Sequence, residues 1–188
     1  MAGPLSPSVK QGSGPMQIEI RKGLSLQQGT YNAVVSPENV MVAALNSNAD
    51  LQRFLFLYVS GNYSRILHGF SRRSGNFEVR RAFTAHQLFT TLREASHTVI
   101  FVEHDPTLFD GAAEMIGTVA DALREAGRES LVILYTPAPD RTFSALARAS
   151  SHYIEIMAVE PERPQVRVNH LMRQHGMRVA GQRTLEVA

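Results

Sequence analysis

Residues 31–39 read Tyr-Asn-Ala-Val-Val-Ser-Pro-Glu-Asn, and this stretch decides how the chain is organised. Its first six residues are typical of a buried strand, and the pattern of residues 37–51 predicts a helix. A strand that leads directly into a helix is the unit from which parallel α/β sheets are built. Nucleotide-binding proteins of this class carry a glycine-rich phosphate loop at such a junction, which here consists of Ser36, Pro37, Glu38 and Asn39.

This junction lacks both residue types that hold a phosphate. The strand, the junction and the helix contain no glycine, and the only lysines of the chain, Lys10 and Lys22, precede the strand. Ser36 is instead predicted to cap the helix, Pro37 suits the first helical position, and Glu38 brings a carboxylate to the first turn. We therefore expect the carboxylate of Glu38 to take the place of a bound anion, so that the site is closed by its own side chain.

Apolar strands alternate with amphipathic helices along the whole chain, which predicts a three-layer α/β fold with a mostly parallel central sheet and helices on both faces. The segments 98–102 and 131–135 are continuously apolar, so we expect them to be central strands buried on both sides. Helical periodicity is clearest over 110–126, and Thr84 and Gln87 form a capping box that begins another helix. Strands are expected at 31–36, 54–60, 77–83, 98–103, 131–135 and 152–157.

Length and composition favour one domain with short appendages. The chain has 188 residues, of which 44% are hydrophobic, and this is enough for one sizeable core. We expect residues 1–15 to be a disordered leader, 16–188 a single α/β domain, and 160–188 a basic extension or β-hairpin of that domain. The absence of cysteine excludes disulfides and cysteine metal sites. No apolar run approaches the roughly 20 residues that span a bilayer, so we expect a cytoplasmic protein without a membrane partner.

Charged residues are distributed in two opposed blocks. Between residues 52 and 95, seven arginines stand against two glutamates, a surplus of five positive charges; between 103 and 129, seven acids stand against two arginines, a surplus of five negative charges. These blocks could pair with each other, within or between subunits, or bind an anionic partner such as single- or double-stranded DNA. The candidates for contact with nucleic acid are Arg72, Arg73, Arg173, Arg178 and Arg183.

Four segments, taken in order, resemble the ATPase core of the RecA/RadA/KaiC superfamily, and especially its archaeal RecA-like members. Residues 29–36 resemble the strand that enters the phosphate loop, and 55–64 the second strand with its turn. Residues 79–88 resemble the third strand with its helix, and 98–109 the Walker B strand. The resemblance covers about residues 20–170 and implies a RecA-like P-loop NTPase core.

The resemblance also shows which parts of such an ATPase are missing. Members of the family use a loop lysine and a loop Ser/Thr to hold the phosphates and Mg²⁺, and neither can be placed at the junction of this chain. They also carry an acid after the second strand that activates water, whereas Ser60, Gly61 and Asn62 offer no carboxylate. Glu103 alone lies where the family has its Walker B acid, with Asp105 two residues later. The resemblance therefore implies a degenerate Walker A motif and no tight binding of ATP or Mg²⁺.

Three functions remain open from the sequence. The first is a catalytically inactive RecA-like domain that acts as an interaction or regulatory module in DNA repair or recombination, by self-association or with a RecA-like paralogue. The second is an accessory protein that binds nucleic acid through its surface arginines. The third is a metal-dependent hydrolase or weak ATPase centred on Glu103 and Asp105, because strand-end carboxylates are the groups that bind divalent ions. Alternation along a strand predicts that His104 points away from both.

Overall fold

The computed structural model describes residues 16–71 and 75–157, and within them it shows a six-stranded parallel sheet with helices on both faces. The first strands, β1 (Gln17–Arg21) and β2 (Leu24–Gln27), form a separate antiparallel hairpin. Gly23 lies at its turn with φ of 82°, a left-handed conformation that glycine adopts without strain. The sequence analysis missed this hairpin, although Ile18 and Ile20 alternate with polar residues as a half-buried strand requires.

The sheet consists of the strands that the sequence analysis expected, with ends shifted by at most two residues. Their order across the sheet is β5-β4-β6-β7-β3-β8, and all neighbouring pairs run parallel. All residues of the central strands β6 and β7 are buried, which confirms the expectation drawn from their continuous apolar runs. The strands are β3 (Thr30–Val35), β4 (Phe56–Ser60), β5 (Phe77–Arg81), β6 (Val99–Glu103), β7 (Leu131–Thr136) and β8 (His152–Glu155).

Helices α2 (Ala85–Glu94), α3 (Met115–Ala126) and α4 (Arg141–Ala147) share one apolar core with the first face of the sheet. Helix α1 (Glu38–Ser47) and the β1–β2 hairpin share a second core with the other face. Neighbouring side chains of β4 show the division, because Leu57 belongs to the first core and Tyr58 to the second. Short 3₁₀ helices at Ala49–Arg53, Leu67–Gly69 and Pro106–Phe109 complete the connections.

Two expected helix boundaries are wrong. Helix α3 begins at Met115 and not at residue 110, because Gly111 takes a left-handed φ of 72° and the chain turns before the helix starts. The helix expected over 37–51 ends at Ser47, because Asn48 is extended. The Thr84 cap is confirmed, since Gln87 N–H donates to the Thr84 hydroxyl at 3.2 Å; the Gln87 side chain also reaches back, but it accepts from Phe83 N–H at 2.7 Å, one residue before the cap. The expected leader at 1–15 and hairpin at 160–188 lie outside the described residues.

Candidate functional site

The nucleotide-site and Walker B-like candidates from the sequence lie at the carboxyl ends of β3 and β6, which belong to the same end of the parallel sheet. Helix α1 leaves β3 toward one face of the sheet, whereas α4 leaves the adjacent strand β7 toward the other face. Such a divergence opens a crevice, and parallel α/β sheets bind their ligands there. The carboxyl ends of β3 and β7 therefore flank the place where a ligand is expected in this sheet.

The junction after β3 is held by bonds within the protein. Ser36 N–H donates to the carbonyl of Thr136 at 3.2 Å, and the Ser36 carbonyl accepts from the Tyr135 hydroxyl at 3.2 Å. Pro37 has no N–H, and it occupies the N-cap position without a side-chain capping bond. The prediction of Ser36 as N-cap is wrong by one residue, because Pro37 is still extended (ψ 145°) and the helix begins at Glu38. The Ser36 hydroxyl instead lies 3.4 Å from the Pro37 carbonyl.

Glu103, the Walker B-like candidate, is a buried carboxylate that accepts hydrogen bonds from other groups of the protein. Its Oε1 accepts from Arg65 N–H at 2.7 Å, and its Oε2 accepts from the Ser64 hydroxyl at 2.6 Å and from the Tyr58 hydroxyl. Only 3% of Glu103 is exposed. A carboxylate offers about four lone-pair sites, so three donors leave little of it for a ligand.

Asp105 fixes the same loop from its other end. Its Oδ2 accepts from Asn62 N–H at 2.9 Å, while its Oδ1 caps the 3₁₀ helix by accepting from Thr107 N–H at 3.0 Å. Gly61 packs directly against this side chain: a Cβ at Gly61 would lie 2.2 Å from Oδ2 of Asp105. Glu103 and Asp105 therefore act together, as their spacing predicts, and in this structure both bind the loop formed by residues 61–65.

His104 belongs to a different environment from its two acidic neighbours. Its ring is 2% exposed and Nε2 lies 2.9 Å from Oδ2 of Asp140, while the ring packs edge-on against Phe143. Although partial burial of Asp140 opposes ionisation, hydrogen bonds from Phe143 N–H and from His104 hold the pKa of this carboxyl below its usual range. Asp140 also caps α4. The pair thus joins the end of β6 to the start of α4.

The hydroxyls around Glu103 are donors that remain protonated. Burial raises the pKa of Tyr58 far above its usual range, and the charge of Glu103 raises it further. Burial also raises the pKa of Tyr135, and the charges of Glu38 and Glu103 raise it further.

Glu38 stands in the first turn of α1, as predicted, with its carboxylate 3.8 Å from Nη1 of Arg65. Both side chains are largely exposed, so this ion pair contributes little to stability.

The structure brings together only part of the predicted set. Glu38 and Glu103 are connected through Arg65, whose side chain faces the first and whose N–H binds the second. Asn39 lies exposed in the first turn of α1. The sequence analysis missed Tyr58 and Ser64, whose hydroxyls bind Glu103 although they lie 45 and 39 residues away in sequence. The alternation of side chains along β4 could have indicated which face of the sheet Tyr58 lies on. The nucleic-acid candidates Arg72, Arg73, Arg173, Arg178 and Arg183 lie outside the described residues.

In the described part of the chain, Arg80, Arg124 and Arg128 form ion pairs only with acids of their own charged block. Arg80 pairs with Glu78 and Glu94, and Arg124 and Arg128 pair with Asp121 and Glu125.

No group of three His, Asp or Glu side chains suited to a metal ion occurs between residues 16 and 71 or between 75 and 157. Within the same ranges, no helix has the length and apolarity to cross a membrane.

Comparison with models of known protein families finds no match. A protein of the archaeon Archaeoglobus fulgidus, described as uncharacterized, is 39% identical to this chain over 153 residues. The matched region covers 79% of this chain and 75% of the archaeal protein. The similarity thus extends over most of both sequences.

Proposed function

The chain belongs to one family with this archaeal protein, and we propose that it is a RecA-like α/β domain that does not hydrolyse ATP and acts as an interaction or regulatory module. The proposal follows the resemblance in assigning such a module to DNA repair or recombination. Its partner is a second copy of the chain or a RecA-like paralogue. The α/β sheet with helices on both faces is compatible with this fold.

The proposal rests on one observation: the carboxylate of Glu103, the acid in the Walker B-like position, already accepts hydrogen bonds from the protein. Three donors from β4 and its loop bind its carboxylate. Asp105 holds the same loop through Asn62 N–H. A carboxylate that must polarise Mg²⁺ or water needs free oxygen lone pairs directed at the ligand. Here these lone pairs stabilise the fold instead.

The junction after β3 supports the same proposal from a second direction. Phosphate loops bind anions with several free backbone N–H groups and a lysine. Ser36 N–H is already bonded to Thr136 and Pro37 has none. A phosphate near the first turn of α1 would also meet the carboxylate of Glu38. These residues do not fit ATP with Mg²⁺.

A metal-dependent hydrolase centred on Glu103 and Asp105 is less well supported by the geometry. The two carboxylates accept hydrogen bonds from at least five protein donors, namely Tyr58, Ser64, Arg65, Asn62 and Thr107. A divalent ion at Glu103 would have to displace donors such as the buried Tyr58 hydroxyl, and a buried donor left unpaired costs about 1–3 kcal/mol.

Light scattering coupled to size-exclusion chromatography, together with a phosphate-release assay, tests the proposed function. We expect no release of phosphate from ATP above the protein-free rate, and a molar mass that rises with protein concentration or on addition of a RecA-like paralogue. Phosphate release that Glu103→Gln abolishes would contradict the loss of hydrolysis. A monomer at every concentration, with and without the paralogue, would contradict the interaction role.

A further inference from the structure

A pocket lies at the amino ends of β4 and β5, on the face of the sheet that α1 covers. Each of these strands begins with a phenylalanine, Phe56 and Phe77. The end of α1, the 3₁₀ helix at Ala49–Arg53 and the residues after the second 3₁₀ helix form the other walls. Glu103 and the junction after β3 lie at the opposite end of the parallel sheet, so the pocket shares no residue with the site described above.

Three aromatic rings form the apolar wall of this pocket. The rings of Phe56 and Phe77 stack with their centroids 5.1 Å apart and 17° between their planes. The ring of Phe70 is tilted against both, at centroid distances of 6.3 Å and 6.0 Å. The buried side chains of Leu45 and Leu51 complete the apolar lining. A further ring that enters the pocket can make offset or edge-on contacts with this cluster, the arrangements that aromatic rings prefer.

Hydrogen bonds within the protein hold the loop that carries Phe70. The side chain of Asn46 bonds to this loop twice: its Nδ2 donates to the carbonyl of Gly69 at 2.8 Å, and its Oδ1 accepts from Ser71 N–H at 2.9 Å. Phe70 N–H donates to the carbonyl of Leu67 at 3.3 Å. A wall that is already in place costs little conformational entropy when a ligand binds.

The size of the pocket limits what it can hold. It leaves about 40 Å³ for the centres of water molecules. One water needs about 10–15 Å³ of such space, so the pocket has room for about three waters, which fill about 90 Å³ in the liquid. One six-membered ring has about this volume, whereas the sites of nucleotides and other large ligands are several times larger. The pocket therefore suits a compound with a single ring.

The lining of the pocket carries no charge but offers a hydrogen-bond acceptor. The ten described residues that line it are Leu, Phe, Asn, Gln and Ser. A charged ligand would lose hydration there without gaining a partner, so a neutral ligand is favoured. Asn48 is half-buried, and its Nδ2 lies 3.5 Å from the Gln17 carbonyl. Its Oδ1 accepts no hydrogen bond from residues 16–71 or 75–157, which leaves this oxygen for one hydroxyl of a ligand.

We propose that this pocket binds a neutral phenol with a single ring. The ring packs against Phe56, Phe70 and Phe77, and the hydroxyl donates to Oδ1 of Asn48. A carboxylate or an ammonium group on the ring is excluded by the uncharged lining, and a second fused ring is excluded by the volume. The site goes beyond the proposed function, because it involves neither a protein partner nor the carboxylate of Glu103.

Titration of the isotope-labelled protein with p-cresol, followed by NMR of the backbone amides, tests the proposal. We expect saturable shifts at the amides of Asn46, Asn48, Ser71 and Phe77, and none at Glu103. Toluene lacks the hydroxyl and should bind at least about threefold more weakly, the effect of one hydrogen bond. Benzoate, which is charged, and indole, which has two fused rings, should not bind.

Two variants change the pocket in opposite directions. Ser71→Phe brings a ring to the mouth of the pocket from an exposed position, and it should weaken binding of p-cresol at least about tenfold. Phe70→Ala removes one wall and should allow indole to bind. Ser96→Phe adds the same ring at an exposed serine outside the pocket and should bind p-cresol as the wild type does. Circular dichroism checks that each variant is folded.

Three results would overturn the proposal. The first is the absence of saturable shifts up to about 10 mM p-cresol, a concentration that detects even weak binding. The second is binding of benzoate or indole to the wild type as tight as that of p-cresol. The third is a folded Ser71→Phe protein that binds p-cresol normally, or shifts that lie away from the amino ends of β4 and β5.

Discussion

The backbone N–H of Arg65 donates a 2.7 Å hydrogen bond to Oε1 of Glu103, which ties the loop after β4 to the end of β6. The acid in the Walker B-like position therefore organises a loop of its own chain. Asp105 holds the other end of the loop through Asn62 N–H at 2.9 Å. The carboxyl ends of β4 and β6 are thus fixed to each other by hydrogen bonds within the protein.

Replacing Glu103 tests this structural role. Glu103→Ala leaves the hydroxyls of Tyr58 and Ser64 and the N–H of Arg65 without their acceptor, so we expect the free energy of unfolding to fall by about 3 kcal/mol. Urea denaturation followed by circular dichroism measures the change. Glu129→Ala, at an exposed position after α3, is the control and should change stability by less than about 0.5 kcal/mol. An unaltered midpoint for Glu103→Ala would refute the role.

Gly61 and Asp105 should be coupled energetically. A Cβ at position 61 would lie 2.5 Å from the Cβ of Asp105, so Gly61→Ala must displace the loop, at a cost of about 1–3 kcal/mol. Asp105→Gly removes all three clashing atoms, Cβ, Cγ and Oδ2, together with the bond to Asn62 N–H. In a double-mutant cycle, the double variant should lose clearly less stability than the sum of the two single variants. Additive losses would show that the two residues do not share this contact.

Asp140 predicts a pH dependence of stability. Its pKa is lower in the folded protein than in the unfolded chain, so its charge stabilises the fold above the unfolded value and ceases to do so as the pH falls through the folded value. Asp140→Asn keeps a good capping residue for α4 but removes the charge. We expect the variant to be less stable than the wild type at pH 7 and equally stable well below about pH 4.

Urea titrations of both proteins at pH 7 and at several acidic values measure this difference. Asp121→Asn offers a control on the surface of α3, where the side chain is 67% exposed. A gap between wild type and Asp140→Asn that persists at the most acidic pH would mean that capping or packing, and not the charge, explains the loss.

Local sequence patterns predicted much of the fold. The apolar runs that became β6 and β7 predicted two central strands because strands buried on both faces need no polar alternation. The capping box located the start of α2, because its bonds join residues only three or four apart. The start of α3 was wrong because the apolar spacing continues through the turn at Gly111, whose left-handed backbone leaves no trace in hydrophobic periodicity.

The candidate site was less predictable, because its decisive contacts are long-range. The loop residues that bind Glu103 lie 38 and 39 positions away in sequence, and Tyr58 lies 45 positions away. Residue types indicated a Walker B-like acid but could not show which donors surround it. Only the parallel pairing of β4 with β6 brings those donors to the carboxylate.

Isothermal titration calorimetry with a non-hydrolysable ATP analogue at physiological Mg²⁺ tests the central claim most directly. The bonded Ser36, the missing N–H of Pro37 and the occupied carboxylate of Glu103 predict no binding heat up to millimolar analogue. A control titration with the Glu38→Gln variant removes the charge that a phosphate would meet at the start of α1, and it too should remain silent. Saturable binding of the analogue to the wild-type protein at micromolar concentration would contradict the account.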